Sequence, residues 1–160
     1  MRAAVLTVSD GVAAGEREDE SGALLVELLE GERYEVQHRV VPDERPQIAA
    51  ALREFATQQV DVILTTGGTG VSPRDFTPEA TESVLDRSVP GIAEALRADA
   101  VAKTPHGLLG RGVAGIRGRT LIVNLPGSPG GCRDGFARIK AALPHAVELI
   151  AGGRSEHRQT

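Results

Sequence analysis

From Ala3 to Thr65 the chain alternates strand-length apolar runs with apolar stripes at helical spacing, and this ordering restricts the fold more than any other feature of the sequence. Ala3 to Val8 reads as a first buried strand. Leu24, Leu25, Leu28 and Leu29 then recur at helical spacing up to Gly31, which has the residue type of a C-terminal cap. A second strand is expected at Tyr34 to Val41, a second amphipathic helix at Ile48, Leu52, Phe55 and Ala56, and a third strand at Val60 to Thr65. Parallel strands need a long crossover between them, usually a helix, so the alternation predicts an α/β fold. The expected form is a three-layer α/β/α arrangement on a mostly parallel mixed sheet.

Downstream, Thr77 and Pro78 have the types of an N-cap and a first helical residue, since proline's missing N–H is tolerated there. Ile92, Leu96 and Ala100 suggest a further helix. Val113 to Ile116 and Thr120 to Asn124 read as a short antiparallel pair around Arg117-Gly118-Arg119. Ser128 and Pro129 again look like a helix start, with Phe136, Ile139 and Leu143 as its buried stripe. Pro144 interrupts that stripe, and Val147 and Ile150 continue it in a last short helix. A chain of 160 residues accommodates one core comfortably. The expectation is therefore one domain over residues 1–151 and a polar, frayed tail at 152–160.

Composition excludes several classes of function. A net charge of -4, with no block of lysines and only 2% aromatic residues, suits neither a nucleic-acid backbone nor base stacking. No apolar run approaches the roughly 20 residues of a membrane span. The strand-like start at Arg2 has no leader pattern, and Cys132 is the single cysteine, so a cytoplasmic protein without an intrachain disulfide is expected. His38, His106, His145 and His157 are scattered without paired spacing, which argues against a zinc centre.

The segment Thr65-Thr66-Gly67-Gly68-Thr69-Gly70 leaves the third strand as a glycine loop. Without Cβ atoms, a backbone can wrap an anion and present its N–H groups to it. Gly127, Gly130 and Gly131 form a second loop of the same kind after a later strand, and ligands of open α/β sheets bind at that edge. Neither loop is a common nucleotide fingerprint. Lys103 and Lys140 are the only lysines, so there is no Gly-Lys-Ser/Thr P-loop, and the third glycine of a Rossmann pattern would fall at Pro73. Asp10, Asp43 and Asp75 are all expected to project from the same edge. Carboxylates beside a phosphate site repel the ligand unless a divalent cation lies between them, which makes Mg²⁺ the economical explanation. Helix capping for Asp43 and a surface pair between Arg74 and Asp75 remain open alternatives at this stage. Cys132 reads as a buried small residue beside the second loop.

Five blocks taken together resemble a known family: Thr7-Val8-Ser9-Asp10, Val41-Pro42-Asp43-Glu44, the Thr65 to Gly70 loop, Arg74-Asp75 with Thr77-Pro78-Glu79-Ala80, and Asn124-Leu125-Pro126-Gly127-Ser128-Pro129. They are similar, in order and over nearly the whole chain, to the signatures of the MoaB/Mog family of molybdenum cofactor biosynthesis proteins, to which the gephyrin G domain is related. The resemblance implies a molybdopterin-binding α/β domain, usually a homotrimer, with the molybdenum-insertion protein as a partner. It implies Mg²⁺-dependent transfer of AMP from ATP to the terminal phosphate of molybdopterin, or else a non-catalytic role in binding the same pterin. Matched block by block, Asp75 and Asp43 would be the catalytic, Mg²⁺-orienting acids. Gly67, Gly68, Thr69 and Gly70 would cradle the adenylate phosphates with Ser9 and Asp10 nearby, and Pro126, Gly127 and Ser128 would face the pterin. Both acids are present, which favours the enzyme. A pterin carbinolamine dehydratase would call for a histidine-centred site, which the scattered histidines do not supply.

Overall fold

A computed structural model describes residues 1–153. Its elements run in the order β1 (Arg2–Val8), α1 (Asp10–Ala13), α2 (Glu20–Gly31), β2 (Glu35–Val41), α3 (Arg45–Thr57), β3 (Val62–Thr66), α4 (Thr77–Val84), β4 (Arg87–Ser88) and α5 (Pro90–Lys103). A 3₁₀ turn at Pro105–Leu109 follows, then β5 (Ala114–Arg117), β6 (Thr120–Leu125), α6 (Pro129–Ile139) and α7 (Leu143–Ile150). The six strands form one sheet in the order β2-β1-β3-β6-β5-β4. Pairing is parallel from β2 through β1 and β3 to β6, and antiparallel from β6 to β5 and from β5 to β4. The mostly parallel mixed sheet read from the sequence is therefore present.

Side chains alternate across the central strands, and both faces are buried. Ala3, Val5, Val62, Leu64, Leu121 and Val123 pack on one face with Leu25 and Leu29 of α2, Phe136 and Ile139 of α6 and Leu143 of α7. Ala4, Leu6, Ile63 and Ile122 pack on the other with Ile48, Leu52 and Phe55 of α3 and Ala80 and Val84 of α4. Two cores, one on each side of the sheet, explain why these strands read as continuous apolar runs rather than as alternating ones. No described helix is long and apolar enough to cross a membrane.

The register fixes where the site forms. Val8 lies opposite Val41, Thr7 opposite Thr66, and Thr66 opposite Leu125, so β1, β2, β3 and β6 end at one edge. Ser9-Asp10, Pro42-Asp43, Gly67-Gly68 and Pro126-Gly127-Ser128 all leave the sheet there.

Three local expectations differ. Gly31 is the last residue of α2, and the left-handed residue beyond the helix is Arg33, with φ of 65°. Thr77 opens α4 without capping it; its buried hydroxyl donates instead to the carbonyl of Gly67 at 2.9 Å. Asp43 does not cap α3, whose N-cap is Glu44. Of the tail, residues 154–160 lie outside the described residues.

Candidate functional site

A cavity of about 790 Å³ opens where the four parallel strands end. Ser9, Asp43, Gly67, Gly68, Asp75 and Ser128 are on its wall. Gly67 and Gly68 have φ of 94° and 67°, in the left-handed region that favours glycine. The space is closed as well. A Cβ on Gly67 would stand 2.2 Å from the carbonyl oxygen of Val8, and one on Gly68 would stand 2.3 Å from Thr77 Oγ1. The tight turn and the open backbone wall are thus the same two residues.

Asp10 and Asp43 hold each other across the strand ends. The amide of Asp10 donates to Asp43 Oδ2 at 2.8 Å, and the amide of Asp43 donates to Asp10 Oδ1 at 3.0 Å. Arg74 closes this box from outside. Its Nε and Nη2 donate to the two carboxylate oxygens of Asp10 at 2.7 and 3.2 Å, and Nη2 also reaches Glu44 at 2.9 Å. Arg74 pairs with Asp10 and Glu44, so the surface pair with Asp75 does not form.

The two acids of the box consequently diverge. The Arg74 hydrogen bond, with that from the Asp43 amide, holds the Asp10 carboxyl below its usual range. Burial pushes the Asp43 carboxyl up, against the hydrogen bond from the Asp10 amide and with a further push from the charges of Asp10 and Asp75. Asp75 reaches the same cavity from the far side of the glycine loop, with Oδ2 accepting from the amide of Ser72 at 2.9 Å. Among the described residues neither Asp43 nor Asp75 has a cationic side chain in salt-bridge range. Arg17 is on the same wall, but two carboxylates that face one space with no cation in direct contact form an environment that suits a bound cation.

Part of this wall lies outside the residues expected from the sequence. Asp19, the N-cap of α2, and Ser21, in its first turn, line the cavity, and Asp19 Oδ1 caps the helix by accepting from the amide of Gly22 at 2.9 Å. The legible signal was an Asp four residues before the first apolar position of α2, an ordinary helix start. Ser128 caps α6 in the same way, accepting from the amide of Gly131 at 3.1 Å. Two helices therefore begin at this wall, each bringing the positive end of its dipole and further N–H groups towards an anion.

A second cavity of about 430 Å³ adjoins the first, and Ser128 lies on the wall of both. Ala93, Leu96, Ala100 and Pro126 make it largely apolar, while Thr69, Asn124 and the charged Arg97, Asp99, Lys103 and Asp134 are also on its wall. Asn124 is held rigidly, donating to Thr65 and Thr81 at 3.0 Å each and accepting from the amide of Val113 at 3.1 Å. The sequence-selected residues thus divide between two spaces. Ser9, Asp43, Gly67, Gly68, Asp75 and Gly127 line the first, Thr69 and Pro126 the second, and Ser128 both. Gly70 and Asp10 line neither. Gly70 gives its carbonyl to Arg111 Nε at 2.7 Å, and Asp10 is occupied by Arg74.

Cys132 is fully buried beneath this edge, with Sγ 3.3 Å from Thr66 Oγ1 and 3.1 Å from the carbonyl of Pro126. Burial pushes its thiol up to about 11. Only about one thiol in a thousand is then ionised at pH 8, and the thiolate is the reactive form. A disulfide reagent at pH 8 is expected to leave Cys132 unlabelled in the folded protein and to label it once denaturant is added.

The chain matches the model of a family described as "Probable molybdopterin binding domain" over residues 4–145. It is 51% identical to the molybdopterin biosynthesis enzyme MoaB of Thermus thermophilus, with a TM-score of 0.88 and coverage of 94% of this chain and 96% of that one. The Mog protein of Mycobacterium ulcerans is 44% identical, with a TM-score of 0.89 and coverage of 93% and 98%. Among curated proteins, the molybdopterin adenylyltransferase of Helicobacter pylori strain 26695 is 40% identical over 92% of this chain and 86% of its own length. The molybdenum cofactor synthesis protein cinnamon of Drosophila melanogaster is 42% identical, and there the match spans 98% of this chain but only 26% of the longer protein. With its glycine loop and its acid-lined edge inside the matched region, this chain belongs to the molybdopterin-binding domain family of molybdenum cofactor biosynthesis proteins.

Proposed function

We propose that the protein is a molybdopterin adenylyltransferase. A terminal phosphate oxygen of molybdopterin attacks the α-phosphorus of ATP, the bond from that phosphorus to the bridging oxygen breaks, and pyrophosphate leaves. The observation that carries the reading is the placement of Asp43 and Asp75 on one cavity wall beside Gly67 and Gly68, with no cationic side chain of the described residues in salt-bridge range of either. The relatives named for this activity, which match this chain over most of its length, support it.

The residues fit a Mg²⁺ site. Mg²⁺ keeps several waters and takes one or two carboxylates together with substrate phosphates, so two acids suffice. No cluster of three or more metal-binding side chains exists among the described residues, which suits a metal that arrives with its nucleotide. When bound, Mg²⁺ would neutralise charge on the triphosphate and on the departing pyrophosphate. Asp43 and Asp75 would orient that ion. The attacking phosphate is already anionic, so neither acid is needed as a general base. Positioning carries the reaction instead.

In this reading Gly67 and Gly68 hold the adenylate phosphates, with Ser9 beside them and Thr69 and Gly70 completing the turn behind. Asp10 acts through Asp43. The apolar second cavity takes the pterin, with Pro126 and Ser128 on its wall and Gly127 at the junction. Ser128 borders both spaces, the position a group bridging pterin and nucleotide requires. Residues 1–151 form the one domain that does this. Homotrimeric assembly, a cytoplasmic location and contact with the molybdenum-insertion protein belong to the same proposal and rest on the family resemblance.

The test is pyrophosphate release on mixing the protein with molybdopterin, ATP and Mg²⁺. Release is the expected result. Tight pterin binding with no release would leave a protein that only holds the pterin. The raised Asp43 carboxyl adds a pH dependence. Its proton must leave before a cation binds, so the Mg²⁺ concentration giving half-maximal rate is expected to rise as pH falls from neutrality towards the carboxylate range. It should begin to rise at a higher pH than an ordinary aspartate would require.

A further inference from the structure

The segment from Thr69 to Asp75 carries one of the two proposed metal-orienting acids, yet it contains no helix or strand. Internally it is tied by the amide of Asp75 donating to Ser72 O at 3.0 Å and by the amide of Ser72 donating to the Asp75 carboxylate. Its hydrogen bonds to the rest of the described chain come from two arginines. Arg74 reaches outward to Asp10, Glu44 and the Asp43 carbonyl. The other is Arg111, which reaches in.

Arg111 uses both its backbone and its guanidinium. Its amide donates to Thr69 O at 2.8 Å, Nε to Gly70 O at 2.7 Å and Nη2 to Asp75 O at 2.9 Å, while Nη1 pairs with Glu79 in α4. One side chain thus grips the segment at its start and at its acid, and ties both to the helix that follows. Arg111 is itself held. Gly112 next to it gives its carbonyl to Arg97 Nη1 at 2.7 Å, and Gly110 and Gly112 on either side form part of the second cavity's wall.

We infer that Arg111 is a positioning residue for the adenylyl transfer proposed above, setting Asp75 against the Gly67-Gly68 turn from the side of the second cavity. The inference rests on that proposed reaction for its kinetic consequence, but not for its structural one. A lysine keeps the charge beside Glu79 and loses the planar fork that spans two carbonyls at once, so Arg111→Lys separates charge from geometry.

Two measurements on the full chain test it. In the first, pyrophosphate release is titrated with Mg²⁺ for the wild type, Arg111→Lys and Arg111→Ala. Supporting residues of metal ligands typically affect metal affinity or activity by about 10- to 100-fold. The lysine variant is expected to need about tenfold more Mg²⁺ and to lose kcat, with KM for molybdopterin within about twofold of the wild type. Loss of folded protein alone would lower the rate at every Mg²⁺ concentration and leave the half-saturation point where it was. In the second, hydrogen exchange of the segment spanning residues 68–79 is followed in the wild type and Arg111→Lys without substrates. Its amides are expected to exchange about tenfold faster in the variant, since the segment loses anchoring hydrogen bonds. Unchanged exchange, or an unchanged Mg²⁺ half-saturation in an active variant, would overturn the inference. A wild type with no pyrophosphate release would sink the proposed reaction instead, and the exchange experiment would still decide whether Arg111 holds the segment.

Discussion

Asp75→Asn is expected to lower turnover on the order of 100- to 1,000-fold while changing molybdopterin affinity by less than about twofold. The asparagine keeps the shape of the side chain and can still accept from the amide of Ser72, so the loop keeps its internal tie. What it removes is the negative charge facing Asp43 across the cavity. If the two carboxylates serve to orient a cation on the triphosphate, that charge matters when pyrophosphate departs and little when the pterin binds. Calorimetric titration with molybdopterin alongside pyrophosphate release separates the two. A variant that turned over at the wild-type rate would show that Asp75 does not have the proposed role. One that lost pterin affinity and turnover together would place Asp75 in ground-state binding.

The second large effect concerns the fold. Gly67→Ala is expected to destabilise the protein by roughly 3 kcal/mol or more, from a left-handed backbone and a methyl group driven into a carbonyl. The clashing atom is Val8 O, main chain at the end of β1, which cannot swing aside as a side chain would. For a chain of this size each kcal/mol lowers the melting temperature by about 2–4 °C, so a fall of roughly 6–12 °C is expected by calorimetry. Gly130→Ala is the control. A Cβ there meets nothing within 4 Å, and no positive φ is required. If the two variants melted together, steric closure of the loop against β1 would be excluded as the reason for glycine at position 67.

The sequence was most informative where one physical rule decides the outcome. Strands buried on both faces must be apolar at nearly every position, and the runs at Ala3 to Val8 and Val60 to Thr65 showed this. Once β1, β2 and β3 are parallel, their ends share an edge, so Ser9, Asp43 and Gly67 group together from the order of the elements alone. Contacts set by tertiary packing were not legible. Arg111 lies 41 residues from the carbonyl it binds at Gly70, in a glycine-rich stretch that marks only the absence of regular helix. The reciprocal bonds between Asp10 and Asp43 span 33 residues and depend on the β1–β2 register. Thr77 looked like an N-cap because its type and the following proline fit one, but the nearby Gly67 carbonyl took its hydroxyl instead. Of the loop from Gly67 to Gly70 only Gly67 and Gly68 are on the wall of the first cavity, and the Gly70 carbonyl accepts from Arg111, a partner outside the motif.

If this edge moves an adenylyl group, pyrophosphate release does not by itself show where the adenylate goes. ATP labelled at the α-phosphorus, incubated with the protein, molybdopterin and Mg²⁺, follows the group directly. The label is expected to pass to molybdopterin while unlabelled pyrophosphate appears in equal amount, and both should stop when Mg²⁺ is chelated. Molybdopterin bound tightly while the label stays in ATP would show that this edge holds the pterin without adenylylating it.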